Sequence, residues 1–197
     1  DHYLELGPLL HTAWTAGLKH PVPVYGPPGL PASWEGFCTS MAYDIETRTE
    51  DEGRPDFRSL VSLHLLDDAL KLDLGGVQVT ALRNRHPPVF ESYALRLEAQ
   101  GRAVVLSGDT APIEEMVEFA RNADLLVHEA MLVDGIRAIV ARMGYQDDRL
   151  LKHILRSHTP AEDAARIAAR DVPLPVMLFS TLSVFPILPH PGVENTR

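Results

Sequence analysis

The spacing of apolar and polar positions changes period several times along the chain. Leu4, Leu6, Leu9 and Leu10, with Ala13 and Trp14, fall roughly on one face at helical spacing and predict a helix over residues 2–18. Pro21 to Tyr25 is short and extended, and Gly26-Pro27-Pro28-Gly29 must turn. Helical or irregular structure is expected over 30–45, an exposed loop over the charged stretch Glu46 to Pro55, and a strand-like or mixed run over Phe57 to Leu66. Leu70–Leu74 and Val77–Arg83 read as strands joined at Gly75-Gly76, and Ser92–Ala99 and Arg102–Leu106 as a second pair around Gln100-Gly101. Pro112 to Arg121 is amphipathic at helical spacing, with Pro112 in the first turn, where proline is tolerated. Leu125 to Val127 is a short buried strand. Thr159-Pro160-Ala161-Glu162 predicts a helix start, with Thr159 as N-cap and Pro160 at N1; the helix continues from Ala164 to Arg170. Val176 to Phe179 is the last strand.

This order predicts a mixed α/β fold around one core. The expected domain spans residues 1–182, followed by a Pro-containing tail over 183–197. The chain's 197 residues suffice for a sizeable core. A net charge of −9 disfavours nonspecific binding to polyanions but leaves room for a local basic patch. The single Cys38 excludes an intrachain disulfide and a multi-cysteine zinc cluster, and reads most simply as a small buried residue. No apolar run reaches the roughly 18 residues a membrane span needs. No signal-like segment opens the chain, so a cytoplasmic location is the expectation.

The chemistry concentrates at a few points. Ser107-Gly108-Asp109-Thr110 ends the apolar run Ala103 to Leu106 and delivers a carboxylate at a strand tip. Carboxylate oxygens bind metals such as zinc, although Asp after Gly also serves as a turn residue or N-cap. His86 lies just beyond a strand in Asn84-Arg85-His86-Pro87-Pro88, where the prolines stiffen the chain; a solvated loop histidine is the alternative. His128 ends the strand Leu125 to Val127 and reads at least as well as a buried, hydrogen-bonded histidine as it does as a ligand. His158 precedes the Thr159 cap and is either a cleft residue or a surface one. His11, His20, His64, His153 and His190 have no supporting context.

Taken in order, these stretches resemble the metallo-β-lactamase-fold hydrolases, in the branch that includes ribonuclease Z and arylsulfatase-like enzymes. The resemblance rests on Asp1-His2-Tyr3 before a Leu-rich helix, Val24-Tyr25-Gly26-Pro27-Pro28-Gly29-Leu30, and His86 ahead of Tyr93 to Leu97. It continues through Gly101 to Thr110, Asp124 to Ala130, and Ser157-His158-Thr159-Pro160. It implies a partial αββα sandwich and two zinc ions. Asp1 and His2 would ligate the second metal, His86 the first, and Asp109 would bridge them. Asp1 would also orient or deprotonate the attacking water, and His158 would assist proton transfer. The family's His-x-His-x-Asp-His motif is matched here only by Asp1-His2. Thr181 stands where a ligand histidine is expected, and the tail lacks the family's usual final helix and strand. A chain truncated at the N-terminus, and at the C-terminus too, with an incomplete ligand set and no activity of its own, is therefore expected.

The implied reaction is cleavage of a phosphodiester, sulfate ester, lactone or other ester by metal-bound hydroxide. The acidic charge favours a small-molecule ester over RNA. The alternative is a ribonuclease Z-like tRNA 3′-processing endonuclease. A further alternative, of a different class, is a degenerate, non-catalytic domain. A homodimer is compatible with the sequence, and no membrane partner is expected.

Overall fold

Two tight turns with left-handed backbone set the larger sheet. Gly75 and Gly76 have φ of +66° and +93°, and Gln100 and Gly101 have φ of +52° and +73°. Such turns match the twist of the strands they join. They connect β3 (Lys71–Asp73) to β4 (Gln78–Arg83) and β5 (Tyr93–Ala99) to β6 (Arg102–Leu106). The computed structural model that shows this describes residues 2–68, 70–171 and 176–179.

The larger sheet has the order β3-β4-β5-β6-β7-β8, with β7 at Leu125–Glu129 and β8 at Val176–Phe179. Pairing is antiparallel from β3 to β6 and parallel from β6 to β8. Since β4 and β6 both flank the antiparallel β5, they run in the same direction, and β7 runs with β6. The C-terminal ends of β4, β6 and β7 therefore lie along one edge. A second, two-stranded sheet pairs β1 (Val22–Gly26) in parallel with β2 (Val61–Leu65).

The main core joins Ala94, Ala103, Val105 and Leu126 of the sheet to Met116 and Ala120 at α4 (Glu115–Phe119) and Ile167 of α7 (Ala161–Asp171). A second core, around Trp14, Ile45 and Phe57, holds α1 (Leu6–Thr15), α2 (Leu30–Ser40) and α3 (Ala42–Glu52) beside the small sheet. A third pairs α5 (Val133–Arg142) with α6 (Arg149–Ser157) through Ile136, Val140 and Ile154. Among the described residues, no helix is long and apolar enough to cross a membrane.

The mixed α/β expectation holds, with local corrections. The stretch expected to loop over 46–55 is mostly helical, in α3. Arg48 bonds Asp44 at 3.0 Å and Glu52 at 3.0 Å along one helix face, Ile45 is fully buried, and Gly53 ends the helix in the left-handed region. The first helix is shorter than its apolar pattern, so Leu4 lies before it and is exposed; Leu9 lies within it but on the face away from the buried Leu10 and Trp14 and is also exposed. Pro112 lies outside α4. Thr159 does not open α7; its hydroxyl donates to the Thr110 carbonyl at 2.6 Å, and the helix begins at Ala161. Helices α5 and α6 had no counterpart in the sequence reading. Thr181, His190 and the expected tail lie outside the described residues.

Burial separates two leucines that look alike in sequence. Leu126→Ala should cost about 2–5 kcal/mol by urea denaturation, because Leu126 is completely buried in the main core. Leu4→Ala, at an exposed position, should stay within about 0.5 kcal/mol.

Candidate metal centre

The shared strand edge brings the chemical side chains together. Beyond β4 the chain runs through Asn84 and Arg85 to His86. Beyond β6 it runs through Ser107 and Gly108 to Asp109. Gly108 is required there: its φ is +60°, and a Cβ would stand 2.7 Å from the Tyr93 carbonyl oxygen. The two segments are stitched side by side. The Asn84 amide donates to the Ser107 carbonyl at 2.9 Å, the Arg85 N–H to the Thr110 hydroxyl at 3.2 Å, and the Ala111 N–H to the Arg85 carbonyl at 2.6 Å.

His86, Asp109 and His158 are all buried, and each offers one donor atom within 4.8 Å of the others. The two imidazoles meet edge to face with centroids 4.9 Å apart. His86 Nδ1 lies 3.0 Å from the Ser157 carbonyl oxygen. A carbonyl only accepts, so Nδ1 carries the proton and Nε2 keeps the lone pair a metal needs. His2 reaches the same point from the start of the chain, with Nε2 2.9 Å from Asp109 Oδ2. Asp1, the remaining expected ligand, lies outside the described residues. Two or three imidazoles with a carboxylate are the donor chemistry zinc takes, so the residues present fit a metal ion.

His158 is fixed by Glu129, a residue to which the sequence reading assigns no role. Its Nδ1 lies 3.0 Å from Glu129 Oε2 and 3.2 Å from Oε1. Glu129 is 1 % exposed, and its Oε1 also accepts the Thr110 N–H at 2.5 Å. Burial works against a charged His158 ring, but the Glu129 hydrogen bond, the Glu129 charge and the Asp109 charge together outweigh it and raise its pKa. The sequence alone does not single out Glu129. An acidic residue closing an apolar strand is either exposed or paired, and this one follows a strand read as buried. Its neighbour His128 lies outside the cluster of His86, Asp109 and His158. That ring is wholly buried; its Nδ1 donates to the Glu129 carbonyl at 2.7 Å, and its Nε2 has no hydrogen-bond partner among the described residues.

The chain belongs to the beta-lactamase superfamily domain family, whose pattern matches residues 1–178. It is 30% identical over 173 residues to the ribonuclease Z of Mycobacterium bovis (strain BCG / Pasteur 1173P2), covering 86% of this chain and 59% of that one. It is 32% identical over 173 residues to the ribonuclease Z of Mycolicibacterium paratuberculosis, with the same coverage. The chain thus spans about three fifths of the length of these relatives. The solved structure of the short form of human tRNase Z superposes with a TM-score of 0.55 at 22% identity, over 91% of this chain and 68% of that one. The metallo-beta-lactamase fold protein YhfI from Bacillus subtilis superposes with a TM-score of 0.53 at 23% identity, over 86% of this chain and 55% of that one, and that likeness shows the fold.

His128 supplies a pH test. Its pKa is lowered, chiefly by burial, with its bond to the Glu129 carbonyl and the Glu129 charge opposing in part. The ring is neutral when folded and takes up a proton on unfolding below about pH 6.5, so its contribution is full above that pH and lost as pH falls. The raised pKa of His158 acts in the opposite sense, with stability lost as pH rises, and is common to both proteins compared. Urea denaturation at pH 7.5 and 5.0 should show a smaller acid loss for His128→Leu than for the natural sequence. Equal losses would contradict this account of His128.

Proposed function

We propose that this chain forms the metal-binding part of a ribonuclease Z-like phosphodiesterase. The observation that carries the reading is the His86–Asp109–His158 cluster with Glu129 bonded behind His158, in a chain 30% identical to a ribonuclease Z. His86 and Asp109, with Asp1 and His2, are the residues that would hold zinc. Bound there, zinc supplies Lewis acidity and lowers the pKa of water.

The chain's own groups do the rest. The His86 Nε2 lone pair and the Asp109 carboxylate face a common point. Glu129 accepts from His158 Nδ1 and leaves Nε2 as the single reactive nitrogen of that ring. Nε2 can ligate a metal or give up a proton, but not both at once. The Glu129 and Asp109 charges favour the protonated ring, which suits a donor to the leaving oxygen of a phosphodiester.

The net charge of −9 favours the second reading, a small-molecule ester. RNA remains compatible with it because the polar face of α6, which delivers His158, carries Arg149, Lys152, His153 and Arg156. Arg149 and Lys152 pair with Asp147 and Asp148, whereas Arg156 has no acidic partner among the described residues.

In the full-length protein loaded with zinc or manganese, a 3′-extended precursor tRNA should be cut, and bis-p-nitrophenyl phosphate turned over only weakly. Hydrolysis of the ester with the RNA left intact would move the substrate to the second reading. His158→Ala should lower the cleavage rate by about 10²–10⁴-fold while zinc per chain stays unchanged. Loss of zinc in that variant would make His158 a ligand instead.

A further inference from the structure

Asn84 is buried, with 8 % of its surface exposed, and lies two residues before His86. Its backbone N–H extends the β4–β5 ladder by donating to the Ser92 carbonyl at 3.0 Å. Its side-chain amide crosses to the segment beyond β6 and donates to the Ser107 carbonyl at 2.9 Å, two residues before Asp109. Ser107 is itself locked to β7. Its N–H donates to the Val127 carbonyl at 2.9 Å, and its hydroxyl accepts the Glu129 N–H at 2.9 Å. A second support reaches Asp109 from the same side, where the Ser92 hydroxyl donates to the Asp109 carbonyl at 3.1 Å.

The other half of the Asn84 carboxamide is unused, since Oδ1 is buried with no hydrogen-bond donor. A buried acceptor without a partner is unfavourable, so the side chain is poorly explained as a general stabiliser. What it does supply is a fixed span between the segment carrying His86 and the segment carrying Asp109. A metal requires its donors at set distances, about 2.0–2.2 Å from the ion for imidazole and carboxylate, so the offset between these segments sets how well the pair can close on it.

We propose that Asn84 is a positioning residue for the metal centre, holding the His86 and Asp109 donors at their spacing through its bond to the Ser107 carbonyl. This rests on the reading of His86 and Asp109 as metal ligands. Asn84 touches neither donor atom and acts through the backbone that carries them. The Arg85 bonds to Thr110 and Ala111 do not use the Asn84 side chain, so a variant is expected to keep the two segments adjacent and lose only their fixed offset.

The test is zinc affinity of the metal-free protein, measured by competition with a chromogenic chelator well below each variant's melting temperature. Asn84→Asp, which keeps the shape but sets an acceptor against the Ser107 carbonyl, should bind zinc about 10–100-fold more weakly. Asn84→Leu, of similar size and without the unpaired Oδ1, should show the same loss and guards against misfolding of the first variant. Leu126→Ala controls for destabilisation, with a lowered melting temperature and unchanged zinc affinity. If both Asn84 variants bind zinc as the natural protein does, the positioning role is overturned and the metal centre stands. A natural protein that binds no zinc would overturn both. An affinity loss in Leu126→Ala as large as that in the Asn84 variants would reduce Asn84 to a structural residue.

Discussion

A buried carboxylate organises this molecule's chemistry. Glu129 is 1 % exposed, and a charge so placed is tolerable only if its oxygens are satisfied. Its partners are the Thr110 N–H, next to Asp109, and His158 Nδ1, while its own N–H is held by the Ser107 hydroxyl. One side chain thereby joins the ends of β6, β7 and α6. Removing it would leave the Thr110 N–H and His158 without their acceptor, in a region where water cannot readily replace it.

Strand direction makes that arrangement possible. An antiparallel hairpin pair followed by two parallel strands brings the ends of β4, β6 and β7 to one edge. His86, Asp109 and Glu129 each sit just past, or at, one of those ends. Core and site thus share the same strands. Ala103, Val105 and Leu126 pack under α4 and α7, and Asp109 and Glu129 lie beyond or at the ends of the same strands.

Much of the fold was legible because hairpins write local signals. Gly75-Gly76 and Gln100-Gly101 mark turns whose φ angles are positive, and the alternating runs beside them became strands. The helix α3 was misread because its charges looked like a solvated loop. Its order depends on the spacing of Asp44, Arg48 and Glu52 and on His11 reaching Asp44 from another helix at 2.9 Å. Thr159 was read as a cap, but tertiary packing spends its hydroxyl on Thr110. At the site, Asp109, His86 and His158 were legible from their places at element ends. Glu129 was not, because nothing local distinguishes a paired buried carboxylate from an exposed one; its partner lies 29 residues away.

The central claim is that the Asp109 carboxylate and the His86 Nε2 lone pair form a metal site. Anomalous diffraction from crystals soaked in zinc tests it most directly. The structure predicts a zinc peak about 2.0–2.2 Å from an Asp109 oxygen and from His86 Nε2. Zinc found only elsewhere on the chain, with both donors left bare, would contradict it.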